Sequence, residues 1–177
     1  MWHRGAMTTV PGEDAALLAE AATKSGLVWL RPAGQARAWP AWHVWHESAV
    51  VVVSGPGEQQ LPELSGPVDV LLRSKDTGAR LITVRATATE LTPDDESWAG
   101  AAAALAASRL NSASSPAELP ARWRGTVRIT RLVAEGEALE GPGRYDPASG
   151  AASPPMTTAT TSGWRPWHLR GRRRRGG

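Results

Sequence analysis

A run of cations at a turn is the part of the sequence best suited to chemistry. Arg73-Ser74-Lys75 precedes a turn at residues 76–78, and Arg80 and Arg85 lie on the segment that returns from it. Guanidinium groups offer paired donors to a phosphate and a lysine adds a point charge, so these residues predict a phosphate grip. The alternative is a solvated hairpin end whose charge is balanced by Asp76.

The loop Ser54-Gly55-Pro56-Gly57-Glu58-Gln59 is the second candidate. Its glycines permit a close approach of the backbone to a ligand, and Gln59 could bond the edge of a ring. The alternative is an ordinary connecting loop. The loop lacks the Gly-Lys-Ser/Thr ending of a Walker loop and is not a dinucleotide fingerprint.

Tryptophans recur at every third residue in the segment Arg37–His46, which is expected to be extended. Trp42 or Trp45 could stack on a flat ligand ring, although core packing or a dimer contact is the more common use of such side chains. His43 and His46 would point to opposite faces of an extended chain, so no metal site is predicted.

The sequence indicates no catalytic residue, and its composition excludes several kinds of chemistry. The chain has no cysteine, which excludes disulfides, thiolate catalysis and cysteine-based zinc sites. Its serines lack the Gly-x-Ser-x-Gly pattern of a nucleophile elbow. No catalytic acid, base or nucleophile is therefore assigned.

The basic charge of the chain is concentrated at its C-terminal end. Residues 163–177 hold six arginines and no acid, whereas the remainder has 14 basic and 17 acidic residues, a net charge of −3. Such a tail, with Trp164 and Trp167 beside it, could bind nucleic acid through its phosphates and bases. A solvated extension is the alternative. The arginines concerned are Arg170, Arg172, Arg173, Arg174 and Arg175.

The hydrophobic pattern predicts a mainly β protein with two helices. The first helix starts near Gly12 and runs to Thr23, and the second starts at Thr92-Pro93, with Thr92 as its cap, and reaches Leu110. Turns separate the expected strands, and Ile82, Val84, Ala86 and Ala88 are predicted to face the core. The strands are expected at Leu27–Arg31, Arg37–His46, Ala49–Ser54, Val68–Ser74, Ala79–Leu91 and Arg124–Val133.

The composition predicts one folded domain with loose ends. Residues 1–10 are expected to be disordered, 11–140 to form the domain, and 141–177, rich in Gly, Pro, Ser, Thr and Arg, to be a disordered tail. The apolar runs Ala49–Val53 and Gly100–Ala107 are too short to span a bilayer. With no signal peptide in view, a cytoplasmic location is expected.

Short strands in hairpins with flanking helices predict an antiparallel β-barrel. The order of elements over residues 13–134 resembles the FMN-binding split barrel of the pyridoxamine 5′-phosphate oxidase-like superfamily, in an actinobacterial-type branch. The segment Arg37-Ala38-Trp39-Pro40-Ala41-Trp42-His43-Val44-Trp45-His46 is similar to its tryptophan-bearing strand. Ala49–Ser54 is similar to the apolar strand that follows, and Trp98–Asn111 to its late helix.

The resemblance implies a homodimeric flavoprotein that binds FMN or the deazaflavin F420 between subunits, and an oxidoreductase activity. Arg73, Ser74 and Lys75 would hold the phosphate, Trp45 and Gln59 would lie near the ring, and Ser54, Gly57 and Arg85 would complete the site. The loop after the third strand departs from the family, because it carries an acid where a cation is usual. A haem-type ligand, a non-enzymatic dimer with an empty or ligand-sequestering pocket, and a nucleic-acid role of the tail remain alternatives.

Overall fold

This computed structural model describes residues 10–110 and 114–146 of the chain. They contain seven antiparallel strands and three helices, joined by turns and loops. In chain order the elements are α1 (Gly12–Lys24), β1 (Val28–Pro32), β2 (Trp39–Ala41), β3 (Val44–His46), β4 (Ala49–Ser54), β5 (Gly66–Arg73), β6 (Arg80–Leu91), α2 (Glu96–Ser108), α3 (Leu119–Trp123) and β7 (Arg128–Glu140).

The strands form one sheet that has to curl. Its order is β2-β1-β5-β6-β7-β4-β3, so β2 and β3 are the two edges although only Trp42 and His43 separate them in the chain. In a flat sheet of seven strands the edges would lie about 29 Å apart. The chain from Ala41 to Val44 can span only about 10 Å. The sheet therefore bends into a half-barrel whose edges approach each other at Trp42 and His43.

β4 is buried on both faces, which explains its unbroken run of valines. Val50 and Val52 belong to the core inside the barrel, whereas Val51 and Val53 pack against α2 and α3 on the outside. All six residues of the strand are buried. The sequence-based prediction of a buried strand here is confirmed, since a strand covered on both faces has no polar side.

Two hydrophobic cores result. The inner one contains the inward residues of β6, of which Ile82 and Val84 are fully buried, and it is closed by Leu18 and Ala22 of α1. This confirms the alternation predicted for β6. The outer core lies between β4, α2 and α3 and is centred on Trp123, which is 1% exposed.

The β3–β4 hairpin has a two-residue turn. Glu47 and Ser48 both have positive φ, 46° and 57°, as a turn that matches the twist of the strands requires. The tight connection predicted at these residues is confirmed. Neither Glu nor Ser favours this conformation, which costs about 1 kcal/mol per residue for types other than Gly, Asn or Asp.

The second helix starts later than predicted. The backbone N–H and the hydroxyl of Thr92 both donate to the carboxylate of Asp95, so Thr92 belongs to a turn before the helix rather than to its cap. α2 begins at Glu96 and ends at Ser108, two residues short of the predicted Leu110. The short helix α3 was not predicted, because five residues are too few to show a period.

The segment Arg37–His46 contains two strands, β2 and β3, rather than one. The last strand extends to Glu140, seven residues beyond the predicted end at Val133. After it, Arg144 donates to the carboxylate of Asp14 at 2.9 Å and the hydroxyl of Tyr145 donates to the carbonyl of Leu81 at 3.0 Å. The expectations for residues 1–9 and 147–177, including the arginine-rich tail, lie outside the described residues.

The longest helices that the structure describes have 13 residues, and none has both the length and the apolar character needed to cross a membrane.

The β3–β4 turn gives a test of the sheet register. Replacing both turn residues, Glu47→Asn with Ser48→Gly, should stabilise the protein by about 1 kcal/mol, because both new residue types tolerate positive φ. Thermal unfolding followed by circular dichroism would show a rise of a few degrees in Tm. Glu47→Asn alone should give a smaller rise, and an unchanged or lower Tm for the double variant would contradict this turn geometry.

Candidate functional site

A cavity of about 330 Å³ lies at the tip of the β5–β6 hairpin. Two cations and an indole ring contribute to its wall, and the described part of the wall contains no carboxylate. We call it the basic pocket. It is lined by Ser25, Gly26, Leu27, Trp29, Arg73, Ser74, Lys75 and Gly78.

Backbone hydrogen bonds fix the hairpin tip that carries the cations. The N–H of Ser74 donates to the carbonyl of Ala79 at 2.8 Å, and the carbonyl of Ser74 accepts from the N–H of Gly78 at 2.9 Å. The hydroxyl of Ser25, just after α1, donates to the carbonyl of Arg73 at 3.0 Å. The start of β1 is thereby tied to the end of β5, which forms the two walls of the pocket.

Arg73, Lys75 and Trp29 give the basic pocket its chemical character. The guanidinium carbon of Arg73 lies 5.9 Å from the centroid of the Trp29 ring. Its Nη1 donates to the carbonyl of Gly78 at 3.3 Å, and neither Arg73 nor Lys75 has an ion pair with a described residue. Trp29 lies on the outer face of the sheet and is partly exposed. The arrangement suits an anion attached to a flat ring.

A smaller cavity of about 220 Å³ shares Ser25, Ser74 and Lys75 with the basic pocket. Acids and bases are mixed there, since its wall includes Glu20, Lys24 and Asp76. Lys24 donates to Glu20 at 2.6 Å and so neutralises it. Of the two cavities, the basic pocket is the one whose described wall contains positive charge and no acid.

The structure does not bring Arg80 and Arg85 into the basic pocket. Arg80 pairs with Glu140 at 2.6 Å. Arg85 pairs with Asp69, which also accepts from Arg31 at 2.9 Å. Arg85 lies five residues, or about 16 Å, along β6 from Arg80. Both arginines therefore face carboxylates on the outer side of the sheet.

Gln59 binds the backbone of the barrel. Its Oε1 accepts from the N–H of Trp42 at 2.8 Å, and its Nε2 donates to the carbonyls of Trp42 at 2.9 Å and of Val53 at 3.0 Å. The amide thus pairs with Trp42 as a neighbouring strand would, and it joins the β2–β3 link to the end of β4. Because both N–H donors of Gln59 are engaged, its amide offers a ligand at most an acceptor.

The remaining predicted residues lie away from the basic pocket. Ser54 is the buried last residue of β4, and Gly57, with φ +79°, belongs to the loop that follows it. Trp45, in β3, packs against the core inside the barrel. None of these residues lines the basic pocket. A role for them in binding a ring stays a prediction.

Glu58 holds the same loop to the outer helices, a role that the sequence did not reveal. Its side chain is 1% exposed. Its carboxylate accepts from Nε of Arg109 at 2.8 Å and from the indole N–H of Trp123 at 3.1 Å. The acid that departs from the family pattern is therefore a structural group, buried between the end of α2 and α3.

His43 is buried in the β2–β3 link and 8% exposed. Its Nε2 lies 2.9 Å from the carbonyl of Ala22, so the neutral ring carries its proton there. Burial lowers the pKa of His43, although the carbonyls of Ala22 and Ala41 oppose this. Within residues 10–110 and 114–146, no group of three or more metal-ligating side chains occurs.

Comparisons with protein-family models and with curated protein sequences find no match. Among solved structures, that of the conserved hypothetical protein Rv2991 from Mycobacterium tuberculosis matches with a TM-score of 0.52 and 12% identity, over 77% of this chain and 89% of that one. The chain has the split-barrel fold.

Two further solved structures match this chain with lower TM-scores. HutZ, the heme storage protein from Vibrio cholerae, matches with a TM-score of 0.47 and 18% identity, over 67% of this chain and 87% of its own. A FAD-binding protein, mll6688, from Mesorhizobium loti matches with 0.48 and 16%, over 68% and 87%. Likeness at these identities concerns the fold, so binding has to be argued from the residues of this chain.

Two adjacent glutamines test the role of the Gln59 amide. Gln59→Leu should lower the free energy of unfolding by about 3 kcal/mol, because three backbone groups at the barrel seam lose their partners. Gln60→Leu is the matched control. Among the described residues, the side chain of Gln60 bonds two exposed loop carbonyls, so its loss should cost less than about 0.5 kcal/mol. Equal urea midpoints for the two variants would contradict the role of Gln59.

His43 predicts a pH dependence of stability. Because its pKa in the folded protein lies below the ordinary value of 6.5, the unfolded chain binds the proton more readily. Protonation of His43 therefore does not lower the free energy of unfolding above about pH 6.5. Below that pH the free energy of unfolding falls, by at most about 1.4 kcal/mol per pH unit. Urea unfolding between pH 5 and 7.5 would show this slope. It should shrink in His43→Gln and persist in His46→Gln; an unchanged slope in His43→Gln would refute the assignment.

Proposed function

We propose that this protein binds a flavin-type ligand, FMN or the deazaflavin F420, with the phosphate held by Arg73 and Lys75 in the basic pocket. The observation that carries the proposal is the pairing of two cations that have no acid partner among the described residues with the exposed side of Trp29. A guanidinium and an ammonium group together match a phosphate dianion. Ser74 and the backbone of Ser25–Gly26 would line the same end of the ligand.

The size of the pocket suggests how such a ligand would lie. A volume of about 330 Å³ is at the lower end for a ligand site, so the pocket would hold the phosphate and its adjoining chain. The ring would extend over Trp29 and Leu27, which is 50% exposed. A ring bound there would remain partly uncovered by a single chain.

A second copy of the chain would cover it. α1 packs against the inner core and α2 and α3 against β4, which leaves Trp29 and Leu71 adjacent and partly exposed on the outer face of β1 and β5. Asp69, with Arg31 and Arg85 on either side, lies next to them on that face. We infer a homodimer, located in the cytoplasm, whose subunits meet across this face and enclose the ring.

The chemistry in this proposal belongs to the cofactor. A bound flavin or deazaflavin supplies hydride transfer, and the protein binds it, orients it and limits the access of water. The described wall of the basic pocket contains no carboxylate or histidine that could act as acid or base, which favours redox chemistry over hydrolysis. An oxidoreductase is the resulting proposal. Sequestering of the ligand without turnover fits the same wall, and a turnover assay would separate the two.

Titration of the protein into FMN, followed by flavin fluorescence, tests the phosphate grip. Arg73→Ala and Lys75→Ala should each weaken binding by tenfold or more, because each removes a charge-assisted contact. Riboflavin, which lacks the phosphate, should bind as weakly to the original protein as FMN binds to the double variant.

Arg128→Gln is the control for the titration, since Arg128 is an exposed cation at the start of β7 that lies neither in the basic pocket nor on the proposed subunit face. FMN should bind this variant with unchanged affinity. Equal affinities of FMN for the original protein and for the Arg73/Lys75 double variant would overturn the proposal.

A further inference from the structure

A second cavity, of about 350 Å³, lies between the β2–β3 link and the C-terminal end of α2. We call it the Arg109 cavity. The described part of its wall has one guanidinium group, two aromatic rings and no carboxylate. The residues that line it are Gly26, Trp42, His43, Ser108, Arg109 and Leu110.

Arg109 is held firmly and still has donors to spare. Its Nε donates to Glu58 at 2.8 Å, and its Nη1 and Nη2 donate to the carbonyls of Leu110 at 2.6 Å and Gly57 at 3.4 Å. A guanidinium group has five N–H donors. One N–H on each terminal nitrogen is therefore without a partner among the described residues, and two such donors can meet the two oxygens of a carboxylate.

The surroundings fix the position of these donors before any ligand arrives. The guanidinium carbon of Arg109 lies 5.6 Å from the centroid of the Trp42 ring, and the carboxylate that accepts from its Nε belongs to Glu58, which is 1% exposed. Glu58 does not line the cavity and is shared with the indole N–H of Trp123. A group fixed in this way loses little freedom when it binds a ligand, which favours affinity.

The rest of the described wall is apolar or neutral. Trp42 and Leu110, the latter 77% exposed, offer apolar surface, and Gly26 adds no side chain. The ring of His43 is neutral at neutral pH, since burial lowers its pKa. Arg109 is thus the single charged group in the described wall, so one negative charge on a ligand suffices.

We propose that the Arg109 cavity binds a small monocarboxylate with a flat, apolar body, through its two spare N–H donors. The cation and the indole ring of this site differ from those of the basic pocket, although Gly26 lines both cavities. The binding does not require that the proposed flavin be present. Where both ligands bind, the carboxylate would lie beside the flavin site.

Binding of 4-fluorobenzoate to the full chain, followed by fluorine NMR line width, tests the inference. The original protein should bind it saturably, and the neutral 4-fluorobenzamide at least tenfold more weakly. Arg109→Lys keeps a charge opposite Glu58 but removes the fork of donors, so it should weaken 4-fluorobenzoate binding by tenfold or more. Arg124→Lys is the matched control, because Arg124 lies 5.0 Å over Trp98 outside the cavity, and it should change nothing.

A second variant guards against a folding defect in Arg109→Lys. Ser108 is an exposed residue at the end of α2, and Ser108→Trp should fill the cavity and abolish binding while leaving the Arg109–Glu58 pair intact. The inference is overturned if the original protein shows no saturable binding, if the benzamide binds equally well, or if both variants keep the original affinity. Lys75→Ala should leave 4-fluorobenzoate binding unchanged, so this test and that of the flavin proposal can fail separately.

Discussion

The structure depends on closure of the sheet at Trp42 and His43. Two residues connect the opposite edges of a seven-stranded sheet, and the amide of Gln59 pairs with both backbone groups of Trp42 to hold the seam. Closure encloses the inner core and places β4 between the two cores, so that the valines on both faces of this strand are buried. The glycine-rich loop has a structural role, since Gln59 bonds the backbone of Trp42 and Val53 and Glu58 bonds Arg109 and Trp123.

The charges divide into those that stabilise the fold and those that are available to a ligand. Arg31, Arg85 and Arg144 each face a carboxylate that is at most about one-eighth exposed. A buried carboxylate left without such a partner would be costly, so these arginines are committed. Arg73 and Lys75 lie at an exposed turn without an acid partner among the described residues, and this contrast is the physical basis for assigning them to a ligand.

Local patterns predicted much of the fold and little of the site. The valines of β4, the alternation along β6 and the Glu47–Ser48 turn depend on neighbouring residues, and they could be identified from the sequence. The pairing of Arg85 with Asp69 depends on strand register, and the burial of Glu58 depends on contact with α2 and α3, 51 and 65 residues away. Such long-range contacts leave no local signal, so the sequence grouped Arg85 with Arg73 and gave Gln59 to a ligand.

The most direct test of the account is to locate bound FMN by the backbone amide shifts of the ¹⁵N-labelled protein. If the ligand occupies the basic pocket, the largest shifts will fall in residues 25–29 and 73–78, while residues 54–60 change little. Largest shifts in residues 54–60 would show that the glycine-rich loop receives the phosphate after all. That result would contradict the division between structural and ligand-binding charges on which the account rests.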